Sequence, residues 1–378
     1  MADPMVSRRS FISIAAAAPT MAAVVPAIAI ADRQQPTQEK CGPTAIAEFL
    51  PPPERVRILP AVARSVVPAP QYNAEEIRQI TSQGKDVQLL FPSGIDEFNK
   101  ALSEVDVVFG ALNAEMFARA KNLRWLQTTE AGVDMLLFPE LINSNVVVTN
   151  MARVFAPIIS ETAISMLLAL TRGLNRYYFP QFQQKTWNAE RNLVEVEGMT
   201  AGFVGMGGIG QLTAAKLHSA FNMKILATDA KPMARPSFVD TLREPDWFME
   251  MVPQVDVLIG AAPSTRLTAN MFNENVFRSM KKTAYFLGLS RGALTDEAAL
   301  ARALKEGWIA GAGLDVAKTE PLPSTSPLWD CPNLIITCHT AGFAPQRRIR
   351  LMALLAENTR RYANGLPLMN VVDKERGY

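Results

Sequence analysis

Gly205-Met206-Gly207-Gly208-Ile209-Gly210 restricts this chain most, because G-x-G-x-x-G carries structural meaning in one setting only. The apolar run 201–204 precedes it and the helical pattern "GQLTAAKLHSAF" follows, so the setting is strand, glycine turn, helix. Gly205 permits the tight turn, Gly207 lets backbone approach a pyrophosphate, and Gly210 lets helix and strand pack closely. Gly208 and Ile209 complete the turn, whose free N–H groups face the phosphates. Asp229 ends the next strand, nineteen residues beyond Gly210, where a carboxylate accepts ribose hydroxyls and repels a 2′-phosphate. The expected cofactor is NAD, with NADP disfavoured, although Lys231 and Arg235 soften that preference. The plainer alternative is a structural turn followed by a capping aspartate.

Around this unit, apolar strand-like runs alternate with helical patterns. "RVRIL" (55–59), "VQLLF" (87–91), "VDVVFG" (105–110), "LRWLQ" (123–127) and "VVVTN" (146–150) form a first series. A helix is expected from about Pro157 to Leu174. A second series runs through "TAGFVGMG" (200–207), "MKILATDA" (223–230), "VDVLIGAAP" (255–263), "TAYFLGLS" (283–290), "IAGAGLDV" (309–316) and "LIITCH" (334–339). Such alternation argues for parallel sheets covered on both faces. The expected fold is α/β: two doubly wound parallel-sheet domains, Rossmann-like and flavodoxin-like, with a cleft between them. The amphipathic segment 348–365 cannot extend a sheet and is expected to pack back on the first series. That gives a substrate domain at 54–150, completed by 340–378, and a dinucleotide-binding domain at 151–339.

The first 53 residues read differently. "SRRSFI" (7–12) is a paired arginine entering an alanine-rich run, the pattern of a twin-arginine export signal. Pro19 and Pro26 make that run a poor membrane span, and Ala29-Ile30-Ala31 is a small-x-small cleavage site, so no stable span is expected after processing. Met1–Pro4 reads as a cloning remnant before Met5, 1–31 as the export segment, and 32–53 as a linker or arm. The expected location is periplasmic, or cytoplasmic if the leader does not function. About 345 residues remain, room for two domains of ordinary size. A hydrophobic fraction of 48% and a net charge of +2 with interspersed signs describe a globular chain and disfavour a nucleic-acid partner. Cys41, Cys331 and Cys338 have neither metal-ligand nor disulfide-framework spacing, and His218 and His339 are the only histidines, so no metal is expected.

Other candidate residues close the later strands, where open α/β sheets bind ligands. Ala262 and Pro263, and then Leu289, end two of them and are expected to line the cofactor crevice. Arg291 closes "FLGLSRG", Asp315 and Glu320 lie in "GAGLDVAKTEPLP", and His339 closes "LIITCH". An arginine holds a carboxylate bidentately and polarises a neighbouring carbonyl. A histidine takes or returns the proton that accompanies hydride transfer, and a carboxylate beside it fixes its tautomer. Each has a plainer role: a surface ion pair for Arg291, turn caps for Asp315 and Glu320, a core side chain for His339. His218 lies inside the helix after the glycine loop and is expected to be structural.

With these blocks in order ("EAGVDML", "VVVTNMARVFAPIISETA", "GFVGMGGIG", "PSTRLTANMFN", "SRGALTDEAAL", "GAGLDVAKTEPLP", "NLIITCHTAG"), residues 54–370 resemble the D-isomer-specific 2-hydroxyacid dehydrogenase family. The resemblance implies that Arg291 binds substrate carboxylate and keto oxygen, His339 is the acid/base, and Glu320 its partner. It implies further that Asp315 meets the nicotinamide amide and that N–H groups near Ala131, Gly132 and Val133 hold the carboxylate. A homodimer and a small 2-keto or 2-hydroxy acid substrate follow from it. The chain departs from the family at Gly288, where asparagine is common, at Cys338 for proline, and at Glu130 for a small neutral residue. The related formate dehydrogenases pair the histidine with glutamine, so Glu320 favours hydroxyacid chemistry. A rival expectation is an exported NAD-binding module without turnover.

Overall fold

The computed structural model describes residues 50–61 and 72–378. The export-like leader, Cys41 and most of the expected arm lie outside the described residues. Two parallel sheets organise the rest. The first holds β1 (Val56–Ala61), β2 (Val87–Leu89), β3 (Val107–Gly110), β4 (Trp125–Gln127) and β5 (Val147–Thr149), in the order β2-β1-β3-β4-β5. The second holds β6 (Thr200–Val204), β7 (Lys224–Thr228), β8 (Thr241–Arg243), β9 (Val257–Gly260), β10 (Tyr285–Gly288), β11 (Gly311–Leu314) and β12 (Leu334–Ile336). Its order is β12-β11-β10-β9-β6-β7-β8. These are the flavodoxin-like and dinucleotide-fold strand orders, each reversing once beside its first strand. The expected α/β class of two parallel-sheet domains is the one observed.

Burial explains why the inner strands are so apolar. All four residues of β3, β9, β10 and β11 are buried, as strands covered on both faces must be. β8 was not expected. Its sequence, Thr-Leu-Arg, sits half-exposed at the sheet edge and carries no apolar run.

The helix Ala156–Thr171 connects the two sheets, ending three residues before the expected Leu174. Ala163, Met166, Leu167 and Leu170 are buried at three- and four-residue spacing against the second sheet. After Gly173, with φ +64, the chain makes a π-helical turn, Leu174–Tyr178, and a short helix, Phe179–Gln184.

The helix Pro345–Ala363 returns to the first sheet, where Leu351, Met352, Leu355 and Tyr362 join the core around Trp125. A buried polar chain fixes its register. Asn358 Nδ2 donates to Gln127 Oε1 at 2.9 Å, Thr149 Oγ1 donates to the same oxygen at 2.8 Å, and Trp125 Nε1 donates to Thr149 Oγ1 at 2.7 Å. Each group is satisfied, so the network specifies one packing rather than costing stability. No helix among the described residues is long and apolar enough to cross a membrane.

Candidate active site

The glycine loop follows β6 at the point where the order of the second sheet reverses, between β6 and β9. Gly205 has φ +97, and a Cβ there would lie 2.7 Å from the N of Ala262 at the end of β9. A Cβ on Gly210 would lie 2.1 Å from the carbonyl of Gly205, so helix Gly208–Phe221 packs where only glycine fits. Gly207 differs, because nothing lies within 4 Å of its Cβ position. That open face above free helix N–H groups fits a pyrophosphate. Asp229 follows β7. Its Oδ2 accepts from the N of Met206 at 2.6 Å and its Oδ1 from the N of Lys231 at 2.7 Å. Ala262 and Leu289 are buried with their strand ends, and Pro263 lends its carbonyl to Thr268 Oγ1 at 2.7 Å. The residues present therefore fit a dinucleotide.

Arg291, Glu320 and His339 come together from three different strand ends. His339 Nδ1 lies 2.7 Å from Glu320 Oε2. A carboxylate can only accept, so Nδ1 carries the proton and Nε2 is left for another partner. Glu320 Oε1 also accepts from the N of Ala317 at 2.9 Å. Partial burial pushes the Glu320 carboxyl up. The hydrogen bonds from His339 and Ala317, with the charges of His339 and Arg291, outweigh that and hold it below its ordinary value. His339 itself has φ +54, a left-handed conformation uncommon for non-glycine residues, though histidine adopts it more readily than most.

Asp315 holds that strained turn in place. It is 3% exposed, and its carboxylate accepts from Thr337 Oγ1 at 2.5 Å and from the N–H groups of Thr340 and Ala341 at 3.0 and 3.1 Å. Its own carbonyl accepts from the N of His339 at 2.7 Å.

Arg291 lies against the loop after β4. A Cβ on Gly132 would fall 1.8 Å from Arg291 Nη2, so this glycine makes room for the guanidinium. Arg291 Nε donates to Asp134 Oδ1 at 3.2 Å, and Nη1 to the carbonyl of Ser290 at 3.0 Å. Gly132 is thus brought against the arginine, with Ala131 and Val133 its neighbours in the same loop. Glu130 pairs with Arg347 at 3.5 Å, and Arg347 lies over the rings of Phe155 and Phe343 at 4.7 and 4.9 Å.

His218 stays apart from this cluster, with Nδ1 on the carbonyl of Met223 at 3.2 Å. Cys331 and Cys338 are free thiols, and among the described residues no cluster of His, Cys, Asp and Glu is disposed to hold a metal. Sequence patterning does not mark Asp134, whose place in the site comes from its contact with Arg291, 157 positions away.

Residues 164–341 match the family profile described as "D-isomer specific 2-hydroxyacid dehydrogenase, NAD binding domain". A glyoxylate reductase of Thermofilum pendens is 34% identical over 277 residues, covering 70% of this chain and 79% of its own length. A D-3-phosphoglycerate dehydrogenase of Archaeoglobus fulgidus is 27% identical over 320 residues, covering 82% of this chain and 59% of its own. Among solved structures, a D-isomer specific 2-hydroxyacid dehydrogenase family protein of Aeromonas salmonicida matches with TM-score 0.71 and 29% identity, over 85% of this chain and 100% of that one. An NADPH-dependent glyoxylate/hydroxypyruvate reductase of Sinorhizobium meliloti, in complex with NADP and sulfate, matches with TM-score 0.70 and 26% identity, over 86% and 100%.

Proposed function

Because the chain belongs to the D-isomer-specific 2-hydroxyacid dehydrogenase family, we propose that it interconverts a small 2-keto acid and its D-2-hydroxy acid using NAD. The observation that carries this reading is the His339–Glu320 pair at 2.7 Å beside an arginine seated on the Gly132 loop. The glycine loop would hold the dinucleotide, which when bound would supply or accept the hydride at the substrate C2. Arg291 engages the substrate carboxylate and draws electron density from the adjacent carbonyl. The N–H groups of Ala131, Gly132 and Val133 hold the same carboxylate from the other side. In reduction, His339 Nε2–H gives its proton to the carbonyl oxygen as that oxygen becomes a hydroxyl; in oxidation the proton returns. Glu320 keeps Nδ1 protonated and so fixes which nitrogen faces the substrate.

NAD is favoured over NADP by Asp229, although the Sinorhizobium relative carries NADP. The relative named glyoxylate reductase places glyoxylate first among substrates to be tried. The test is oxidation of NADH and NADPH by purified protein with glyoxylate, pyruvate, hydroxypyruvate and phenylpyruvate. Turnover with at least one is expected, and His339→Ala should abolish most of it while still binding dinucleotide. Full activity in that variant would remove His339 from the chemistry.

The assembly proposed is a homodimer through the face beside helix Ala156–Thr171. Phe179, Phe182 and Trp187 are 59%, 86% and 99% exposed next to it, and light scattering should give twice the chain mass. Export through the twin-arginine route is proposed on "SRRSFI" alone, and Arg8→Lys with Arg9→Lys should retain the protein in the cytoplasm.

A further inference from the structure

We propose that Arg153 is a ligand of the dinucleotide's pyrophosphate, reaching it from the connection between β5 and helix Ala156–Thr171. The inference rests on the reading of the glycine-loop crevice as a dinucleotide site and adds a residue that the loop itself does not supply.

Arg153 has φ +72, in the left-handed region where a long side chain is unfavourable and glycine is not. Its neighbours impose that conformation. The carbonyl of Ala152 accepts from Asn370 Nδ2 at 3.0 Å, and that of Val154 from Arg350 Nε at 3.0 Å. The N of Val154 donates to the carbonyl of Met151 at 3.1 Å, and the N of Ala156 to the carbonyl of Arg153 at 3.2 Å. Strain maintained from both sides at a candidate site calls for a functional reason.

The turn delivers Arg153 onto the glycine loop. Its Cγ, Cα and Cβ lie 2.8, 2.9 and 3.2 Å from the position a Cβ on Gly208 would occupy. Gly208 opens the helix Gly208–Phe221, whose first N–H groups have no intrahelical acceptor. Any side chain at 208 would push Arg153 away. The Arg153 side chain is exposed and makes no hydrogen bond or ion pair among the described residues. Arg350 adds a second guanidinium at the same connection, with Nη2 buried and without a partner. Arg153 therefore brings an unpaired cationic side chain against the start of this helix at Gly208. A guanidinium fork matches two phosphate oxygens of a diphosphate, and Arg153 lies within one side-chain length of where the helix N–H groups would hold them.

The experiment is direct titration of wild type, Arg153→Gly and Arg153→Lys with NADH, ADP-ribose and adenosine, alongside thermal unfolding of each. Arg153→Gly should unfold at the same or a higher temperature, because glycine relieves the strain. It should nevertheless bind NADH and ADP-ribose about tenfold to a hundredfold more weakly, with adenosine unchanged. Arg153→Lys should fall between, keeping the charge without the fork. Undiminished binding of NADH and ADP-ribose by Arg153→Gly would overturn this assignment alone. A wild type that binds no dinucleotide would overturn the reading of the crevice and this assignment with it.

Discussion

Asp134 Oδ1 accepts a hydrogen bond from Arg291 Nε at 3.2 Å, joining the loop after β4 to the end of β10 across 157 positions of sequence. Both side chains are 31% exposed, so the pair is partly shielded from water. With Nε held by Asp134 and Nη1 by Ser290, the guanidinium plane is set and Nη2 is pressed to Gly132. Asp134 is thus a positioning residue for Arg291. Asp134→Ala should lower kcat/KM for the keto acid by about tenfold, mainly through KM, because one charge-assisted hydrogen bond is lost. The Kd for NADH should not change, and Asp134→Asn should restore part of the loss. Equal kinetics in Asp134→Ala and wild type would show that Arg291 orients itself.

The Glu320 carboxyl is held below its ordinary value, which fixes the sign of a pH effect. A depressed carboxylate stays charged at neutral pH and is protonated only as pH falls through its lowered value, where its support for His339 is lost. Turnover should therefore persist to lower pH than an ordinary glutamate partner would allow. Glu320→Gln should cut kcat by about tenfold to a hundredfold at neutral pH and remove that carboxylate's contribution to the acid limb. A pH–rate profile of both proteins checks this; superimposable acid limbs would contradict it.

The dinucleotide loop was legible because its chemistry is local: strand, turn and helix occupy consecutive residues, and Asp229 sits one strand later. Arg291, Glu320 and His339 were nameable because strand ends in such sheets converge on one crevice. The left-handed backbone at His339 and Arg153 was not, since nothing in either residue type announces it. β8 was missed for a related reason. A three-residue edge strand needs no apolar alternation, because only one of its edges pairs. Asp315 illustrates the middle case: its place beside the site was readable, whereas its four backbone and hydroxyl contacts around the His339 turn depend on the folded loop.

Glu76 ties the N-terminus of helix Ala74–Thr81 to the helix Pro345–Ala363 through Arg348, and it completes a capping box with Asn73. The hydrogen bond from Arg348 holds its carboxyl below the usual range. A depressed carboxyl contributes its stability in full above the unfolded value near pH 4.3 and loses it as pH falls through the folded value. Glu76→Gln should cost about 1.5–3 kcal/mol at pH 7 and less in acid, where the wild type has lost the same interaction. Urea titrations at two pH values measure the difference, and a pH-independent cost would show that packing, not charge, is at stake.

Asp229 bridges the glycine loop and the next turn through Met206 and Lys231, and in the proposed NAD complex its charge would repel a 2′-phosphate. Asp229→Ser keeps a hydrogen-bonding oxygen and removes the repulsion. The ratio of kcat/KM for NADPH over NADH should rise by about tenfold to a hundredfold. An unchanged ratio would place cofactor choice elsewhere, with Arg235 next to be replaced.

The segment 371–378 spans both sheets and ends at the same crevice. Val372 N donates to the carbonyl of Val148 at 2.8 Å, which covers the open edge of β5. Lys374 Nζ is caged by the carbonyls of Leu141, Ser144 and Val146 at 3.1, 2.6 and 3.1 Å, and burial pushes its pKa down. Asp373 then turns the chain by accepting from the N–H groups of Glu375 and Arg376 at 3.1 and 2.9 Å. The turn sets the Tyr378 ring 4.3 Å from Lys231 Nζ, two residues beyond Asp229. In the proposed NAD complex the adenosine would lie beside Asp229, so its release would run past this cation and ring. Such a contact is worth about 0.5–2 kcal/mol, so Tyr378→Ala should speed NADH dissociation by about twofold to thirtyfold. The KM for keto acid at saturating NADH should be unchanged, because Tyr378 touches none of Arg291, Glu320 or His339. Stopped-flow displacement of NADH measures the rate, and Tyr378→Phe, which keeps the ring face, should release NADH at the wild-type rate. If Ala and Phe behave alike, the ring is a bystander and the cage around Lys374 alone holds the strap.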